Sequence, residues 1–428
     1  MSGKTPGARG APKGKIFVIG AGLAGLSAAT ILAERGASVT VLEGAGQAGG
    51  RSRSYFDAAL DAVIDNGNHL VLSGNHAVNA YLARIGAKDG LAGPSRAEFA
   101  FVDLENNESW WLRPDEGPLP FWVGRSGRRV PGSRAADYAR YAPLLWAGKN
   151  MRIGEVVKER GPVWHRLMRP FLLAALNTQP EESSAALAGA VLRETLVKGG
   201  RYCRPRIAHP SLAAAFVDPA LEFLESKDAA VRLGVRVRGL PRDERSVLAV
   251  ETGDATLPVG SRDAVILAVP SWAAADLLPG LAAPDDFRAI VNAHFRFDAP
   301  HDTPAMLGVI GGTAEWIFTF PGRVSVTVSG ADAIVDTDRE ELARMIWKDV
   351  ARALRISAPM PQWQIVKEKR ATFAATPEQD AKRPPARTGW RNLFLAGDWV
   401  QTGLPATIEG ALRSGEKAAV LALKHLSL

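Results

Sequence analysis

One cysteine, Cys203, stands in a chain of 428 residues. That count excludes a disulfide framework and any zinc site built on cysteine thiolates. Such sparing use suits a reducing cytosol, so a cytoplasmic location is expected, peripheral to the inner membrane where it meets one. No stretch reaches the roughly 18 apolar residues that span a bilayer, so membrane contact must be peripheral. Residues 1–14 are rich in Gly, Pro and Lys and lack the apolar core of a secretory signal; they read as a disordered tail. No dense Lys/Arg block alternates with aromatics, and no nucleic-acid partner is expected. The formal net charge of +7 fits plain solubility, and it equally fits attraction to an anionic membrane face or to anionic partners.

What is present is the composition of a globular chain, 46% hydrophobic and 23% charged, and long enough for more than one core. The apolar run Ile16-Phe17-Val18-Ile19 ends in glycines, as a buried parallel strand does. Residues 23–35 turn helical, with Leu26, Ala29 and Ala33 on one face, and Gly36 ends the helix. Val39-Thr40-Val41-Leu42 then closes a βαβ unit. Further on, strands are expected at 231–237, 264–269, 305–330 and 393–396. Helices are expected at 170–176, 185–198, 339–354 and 405–423. Between about 95 and 200 the composition shifts: Trp110, Trp111, Trp122, Trp146 and Trp164 cluster there, as in a second domain inserted into the first.

Between the first strand and its helix lies Gly20-Ala21-Gly22-Leu23-Ala24-Gly25. Gly20 permits the tight turn, Gly22 lets backbone approach a pyrophosphate, and Gly25 packs the helix closely. The helix N-terminus offers free N–H groups and partial positive charge to the phosphates. Glu43 ends the next strand, where a carboxylate accepts hydrogen bonds from both ribose hydroxyls. An acid there suits a free 2′-hydroxyl, as in FAD or NAD. A few residues on, Gly49-Gly50-Arg51 brings backbone close again and adds a guanidinium that can neutralise phosphate charge.

Gly-Gly-Arg directly after the ribose-binding acid resembles the second signature of the flavin amine oxidase and phytoene desaturase superfamily. The C-terminal run Leu395-Ala396-Gly397-Asp398-Trp399, followed by Thr407-Ile408-Glu409-Gly410-Ala411 and Ser414-Gly415, resembles its third. The resemblance implies FAD, bound non-covalently, with Gly49, Gly50 and Arg51 along it, Asp398 after Gly397 on the ribityl chain, and the Ile408 N–H on the flavin. It implies that Val237 meets the adenine through its backbone. Because Gly311-Gly312 and Gly330 lack strand–helix context, no second dinucleotide domain is expected. Electrons come from the substrate or from a reductant that meets the flavin directly.

More specific segments follow. Asp65-Asn66-Gly67-Asn68-His69, Ala175-Leu176-Asn177-Thr178, Phe287 to Phe295 and Ala371-Thr372-Phe373-Ala374-Ala375-Thr376-Pro377 are similar to the squalene-associated FAD-dependent desaturases, or hydroxysqualene dehydroxylases, of bacterial hopanoid clusters. The similarity runs from about Lys15 to Ala419. It implies reduction of hydroxysqualene to squalene, with hydride from reduced flavin and loss of water, on a hydrophobic polyprene. It implies upstream enzymes of the same pathway as partners. Such chemistry needs a group to protonate the departing oxygen and a dry, electron-rich pocket. His69 and its neighbour Asn68 are the first candidates; His294 and Glu409 follow, and Trp399 is a candidate to flank the flavin, each with a plain structural reading beside it. A carotenoid-type desaturase, a flavin amine oxidase and a non-catalytic FAD-containing isoprenoid-binding protein are the rival readings. The expected fold is α/β: a Rossmann-type FAD-binding domain from 15–75, 206–270 and 390–428, with an inserted α+β substrate domain from 76–205 and 271–389.

Overall fold

The computed structural model describes residues 14–158 and 161–426. The tail read over residues 1–14 lies outside them, apart from Gly14. Five parallel strands form the first sheet, in the order Ala230–Arg232, Ser38–Leu42, Lys15–Ile19, Ala264–Leu267, Leu393–Leu395. Successive side chains of a strand point to opposite faces. Ile16 and Val18 accordingly join one core with Leu26, Ala29 and Leu32 of the helix Leu23–Glu34. Phe17 and Ile19 join the other.

The C-terminal helix Ile408–Leu426 lies against Leu23–Glu34 closely enough that a β-carbon on Gly415 would stand 2.2 Å from the Ala24 carbonyl. The Ser27 hydroxyl seals the pair by donating to the Leu412 carbonyl at 3.1 Å. Chain ends 385 residues apart thus hold the same sheet face.

The second sheet has seven strands, in the order Trp363–Phe373, Phe287–Arg296, Arg323–Val328, Trp316–Phe320, Met306–Ile310, Phe99–Asp103, Glu108–Leu112. One face packs Val291, Phe295, Val324, Val326 and Ile317 on Leu342, Ile346 and Trp347 of the helix Arg339–Leu354. The opposite face changes along the sheet. Paired strands put Asn292 beside Thr327 and His294 beside Ser325 at one end. Met306, Trp316, Phe318, Phe101, Trp110 and Leu112 occupy the other and pack on helical residues such as Trp164, Leu172 and Leu176. Gly308 gives the Phe101 ring its place, since a β-carbon there would lie 2.5 Å from it.

Two expectations change. The strand read over 231–237 is broken: Ala230–Arg232 belongs to the parallel sheet, while Val237–Gly239 starts a three-stranded antiparallel one. Gly234 turns the chain between them at φ +73°, and the N–H groups of Gly234 and Val235 donate to the carbonyls of Ala45 and Glu43. The helix read over 185–198 ends at Glu194, because Thr195 leaves helical geometry (φ −119°, ψ −97°).

Candidate active site

The glycine turn is fixed by contacts that only glycine survives. Gly20 has φ +107°, and a β-carbon on it would stand 2.6 Å from the Ala268 carbonyl. One on Gly25 would stand 1.9 Å from the Gly20 carbonyl. Gly22 differs: it caps the helix Leu23–Glu34 without a side-chain cap, and a β-carbon there would meet nothing within 4 Å. The space in front of the helix N-terminus is therefore open, and its amides have no intrahelical acceptor. Gly49 bridges to Gly22 and donates its N–H to the Ala21 carbonyl at 2.8 Å; exposed Gly50 follows at φ +56°. Glycine backbone from two loops thus walls the opening.

Glu43 accepts the N–H groups of Ala21 and Ala45, each at 2.8 Å. A carboxylate has about four lone-pair sites, so two remain for the hydroxyls of a ribose. Val237 begins its strand two residues beyond Val235, which is tied to Glu43, so it stands near the same end of the cradle.

Arg51 joins this loop to the C-terminal motif. It donates to Asp398 at 2.8 Å and to the Ala371 carbonyl. Burial opposes its charge, but Asp398, with Glu368 behind it, overcomes that opposition and holds its pKa above the ordinary value. Gly397 has φ +146° and lies directly under the Trp399 indole. Trp399 is buried and donates its indole N–H to the Val269 carbonyl at 2.9 Å, which makes it a packing residue of this turn. At the helix start Thr407 accepts the Gly410 N–H at 3.0 Å, leaving the Ile408 N–H without an intrahelical acceptor.

Sequence reasoning passed over Arg383. Its side chain is wholly buried, and it donates to the carbonyls of Asp398, Val400 and Leu404 at 3.1, 2.7 and 2.8 Å, as well as to Asp380 at 3.0 Å. One guanidinium therefore shapes the loop that carries Asp398. An arginine before two prolines carries no local sign of such a role.

Glu409 is structural: its carboxylate accepts the N–H groups of Ala77 and Val78 at 3.1 and 3.0 Å and pairs with Arg413 at 2.8 Å. It caps the helix His76–Arg84. His294 is buried against the Ser325 hydroxyl at 2.8 Å; burial, then the Arg323 charge, pushes its pKa down to about 3. Burial, then the Arg51 charge, pushes His69 down to about 4, with a hydrogen bond to the Arg51 carbonyl pulling the other way. Both imidazoles are neutral at pH 7.

Asn68 sits in a directed hydrogen-bond chain. Asn292 donates its Nδ2 to the Asn66 carbonyl at 3.4 Å, which can only accept. Its Oδ1 must then accept, and takes the Thr327 hydroxyl at 2.7 Å. The Thr327 oxygen in turn accepts from Asn68 Nδ2 at 3.2 Å. Every amide orientation follows from the first, and the chain ends on Asn68 Oδ1, a buried acceptor with no partner among the described residues. Asn66 Nδ2 also donates to Glu368 at 3.4 Å, and the Glu368 charge in turn acts on Arg51.

The remaining specific segments interlock in the same way. Asn177, in left-handed geometry, accepts the Gly330 N–H at 2.6 Å and donates to the Thr372 hydroxyl and the Arg288 carbonyl; Thr178 accepts the Ala375 N–H at 2.8 Å. Segments far apart in sequence thus meet around one end of the seven-stranded sheet.

The open, glycine-walled helix terminus, the half-free Glu43 carboxylate and Asp398 beside Arg51 fit a flavin dinucleotide, and the cofactor is FAD. The model of the flavin-containing amine oxidoreductase family matches residues 23–423. A hydroxysqualene dehydroxylase of Sinorhizobium fredii is 53% identical over 96% of this chain and 98% of its own. One of Rhodopseudomonas palustris is 53% identical over 95% and 98%. Among solved structures, cyclohexylamine oxidase from Brevibacterium oxydans superposes with a TM-score of 0.73 at 16% identity, covering 97% of this chain and all of its own. The chain belongs to the flavin-containing amine oxidoreductases, within the hydroxysqualene dehydroxylase family, and is an FAD-dependent oxidoreductase.

Proposed function

We propose that the chain reduces hydroxysqualene to squalene. The observation that carries this reading is the 53% identity, over nearly the full length of both chains, to the Sinorhizobium fredii hydroxysqualene dehydroxylase. When bound in its fully reduced, two-proton form, FAD would supply the hydride that replaces the hydroxyl on the allylic carbon and the proton with which that hydroxyl leaves as water. Glu43, the glycine turns, Arg51, Asp398 and the Ile408 N–H hold the dinucleotide, and Val237 lies on its adenine. The flavin is held non-covalently in this reading, and a cysteinyl link is ruled out, since the sole cysteine is buried on the Gly199 carbonyl with its thiol pushed up to about 12 by burial and by Glu116. Acid precipitation should therefore release all the flavin.

Asn68 and His69 receive the departing hydroxyl in this reading. The free acceptor Asn68 Oδ1 takes its O–H, a donor that strengthens as the oxygen gains positive charge, so the contact is tighter in the transition state than in the ground state. His69, neutral at pH 7, gives its one N–H to the Arg51 carbonyl, so its other ring nitrogen stands as a second acceptor beside Asn68 Oδ1. The aromatic end of the seven-stranded sheet supports the polyprene, away from water. The substrate domain comprises 76–205 and 271–389. A water-insoluble substrate and the net charge of +7 support a working position at an anionic membrane surface, close to the enzymes that deliver the substrate.

Anaerobic single turnover tests the reaction. Flavin reoxidation in step with squalene formation is expected on adding hydroxysqualene to the reduced protein. Flavin that stays reduced, with hydroxysqualene recovered intact, rejects the proposal in favour of desaturation, amine oxidation or non-catalytic isoprenoid binding.

A further inference from the structure

Among the described residues, seven of the fourteen large apolar side chains left exposed fall within 111–151 and 197–202, so exposure is concentrated rather than scattered. These two segments are clasped together. Gly199 lies against Gly117, where a β-carbon would stand 2.1 Å from the carbonyl. The N–H groups of Gly200 and Arg201 donate to the carbonyls of Asp115 and Glu116 at 2.6 and 3.2 Å.

Beyond the clasp the chain projects Gly117-Pro118-Leu119-Pro120-Phe121, with Leu119 60% and Phe121 66% exposed. Two prolines fix φ along this loop. Asp115 closes its base by accepting the Trp122 N–H at 2.7 Å and Arg128 at 2.6 Å. Trp122 is buried, edge-on to Tyr138. A braced loop therefore presents two bare apolar side chains. Left alone, such groups favour water exclusion by a partner.

The charge around the loop is equally uneven. Residues 113–152 hold eight Lys/Arg against three Asp/Glu, and 193–206 hold five against one. Together these excesses surpass the net +7 of the whole chain, so the rest of the molecule is net negative. Arg96, Arg113, Arg128, Arg201 and Arg204 line a cleft of about 890 Å³ that shares Asp115 and Glu116 with the base of the loop. Three of them are paired, Arg113 with Glu98, Arg128 with Asp115 and Arg204 with Glu116. Neither Arg96 nor Arg201 has an ion-pair partner among the described residues, and Arg204 Nε is buried without an acceptor.

We propose that this face docks on a membrane carrying anionic phospholipids. Leu119 and Phe121 enter the acyl boundary, and the arginine cleft takes headgroup phosphates. The use of docking, access to a polyprene, rests on the function proposed above; the docking itself rests on the face.

Co-sedimentation of the FAD-loaded protein with vesicles tests it, using phosphatidylcholine alone and phosphatidylcholine mixed with phosphatidylglycerol. The wild type should bind the anionic vesicles and release them in high salt. Leu119→Ser with Phe121→Ser should lower partitioning by about tenfold or more. Arg96→Gln with Arg201→Gln should lower it by about fivefold per arginine, on anionic vesicles only. All variants should keep the flavin and their turnover of detergent-solubilised substrate. Absence of wild-type binding at low salt, or binding that neither double variant changes, overturns the proposal. So does a cleft that binds inorganic diphosphate while the protein ignores vesicles. Loss of the dehydroxylation reading would show separately, as no squalene in the detergent assay with sedimentation unaffected.

Discussion

The two sheets build the candidate site by different means. The parallel sheet works through backbone: a left-handed Gly20, an uncapped helix at Gly22 and a bridge from Gly22 to Gly49. Its side-chain contribution is small, chiefly Glu43. The seven-stranded sheet works through side chains that strand pairing brings together, Asn292 with Thr327 at one end and Trp316, Phe101 and Trp110 toward the other. A site made from backbone is written in local sequence, because glycines at fixed spacing are its cause. A site made from cross-strand pairs depends on register, which no local pattern states.

The largest effect expected from breaking this contrast is at the glycines, and two of them should fail differently. Gly20→Ala puts a β-carbon 2.6 Å from a backbone carbonyl at φ +107°, so both fold and flavin should be lost. The strained backbone alone costs about 1–3 kcal/mol. Gly22→Val meets no protein atom from its β-carbon, so the chain should fold with near-native thermal stability. Its side chain occupies the space proposed for the pyrophosphate, and the purified protein should carry at most about a tenth of the wild-type flavin, corresponding to about 1.4 kcal/mol or more. Flavin absorbance together with the melting temperature of the FAD-free proteins checks the pair. A Gly22→Val protein that retains full flavin would show that the cradle lies elsewhere.

Much of the first sheet was legible for this reason. The βαβ unit, its helix bounds within a residue and the helix 339–354 follow from periodicity and glycine placement. The break in 231–237 did not, because apolar residues spaced two apart continue through Gly234 while the hydrogen bonds change partner to Ala45 and Glu43. Sequence points to Asn68 only as a neighbour of His69; its acceptor polarity comes from Asn292 and Thr327, more than 220 residues away. Arg383 stayed hidden because its acceptors are backbone carbonyls, which every residue has.

An intermediate effect is expected at Thr327. Thr327→Val keeps the shape and removes the hydroxyl that relays polarity from Asn292 to Asn68. Asn68 then loses the reason to aim its Nδ2 inward, and its acceptor is no longer fixed. Flavin content should be unchanged, while single-turnover squalene formation falls by about tenfold to a hundredfold, the cost of about 1–3 kcal/mol for a broken buried polar contact. Thr327→Ser should restore most of the rate, since it returns the hydroxyl. Loss of flavin in Thr327→Val, or no change in rate, would separate Asn68 from the chemistry.

The smallest effect concerns acid stability and centres on the second sheet. His294 is buried between its strands with a pKa near 3, against an ordinary value of 6.5. Between those values the unfolded chain binds a proton that the folded one refuses, so stability rises with pH across the window and is lost as pH falls through it. At pH 5 the penalty for such a histidine is about 2 kcal/mol. Burial lowers His69 to about 4 and adds to the same slope, but its site is half-buried and its share is smaller. His294→Gln keeps a polar partner for Ser325 and removes the titration. Urea unfolding of the FAD-free protein at pH 7 and pH 5 should show a smaller loss in the variant than in the wild type. An equal loss in both would mean that protonation of this sheet is not what acid attacks, and would turn attention to the carboxylates that cap the first sheet's loops.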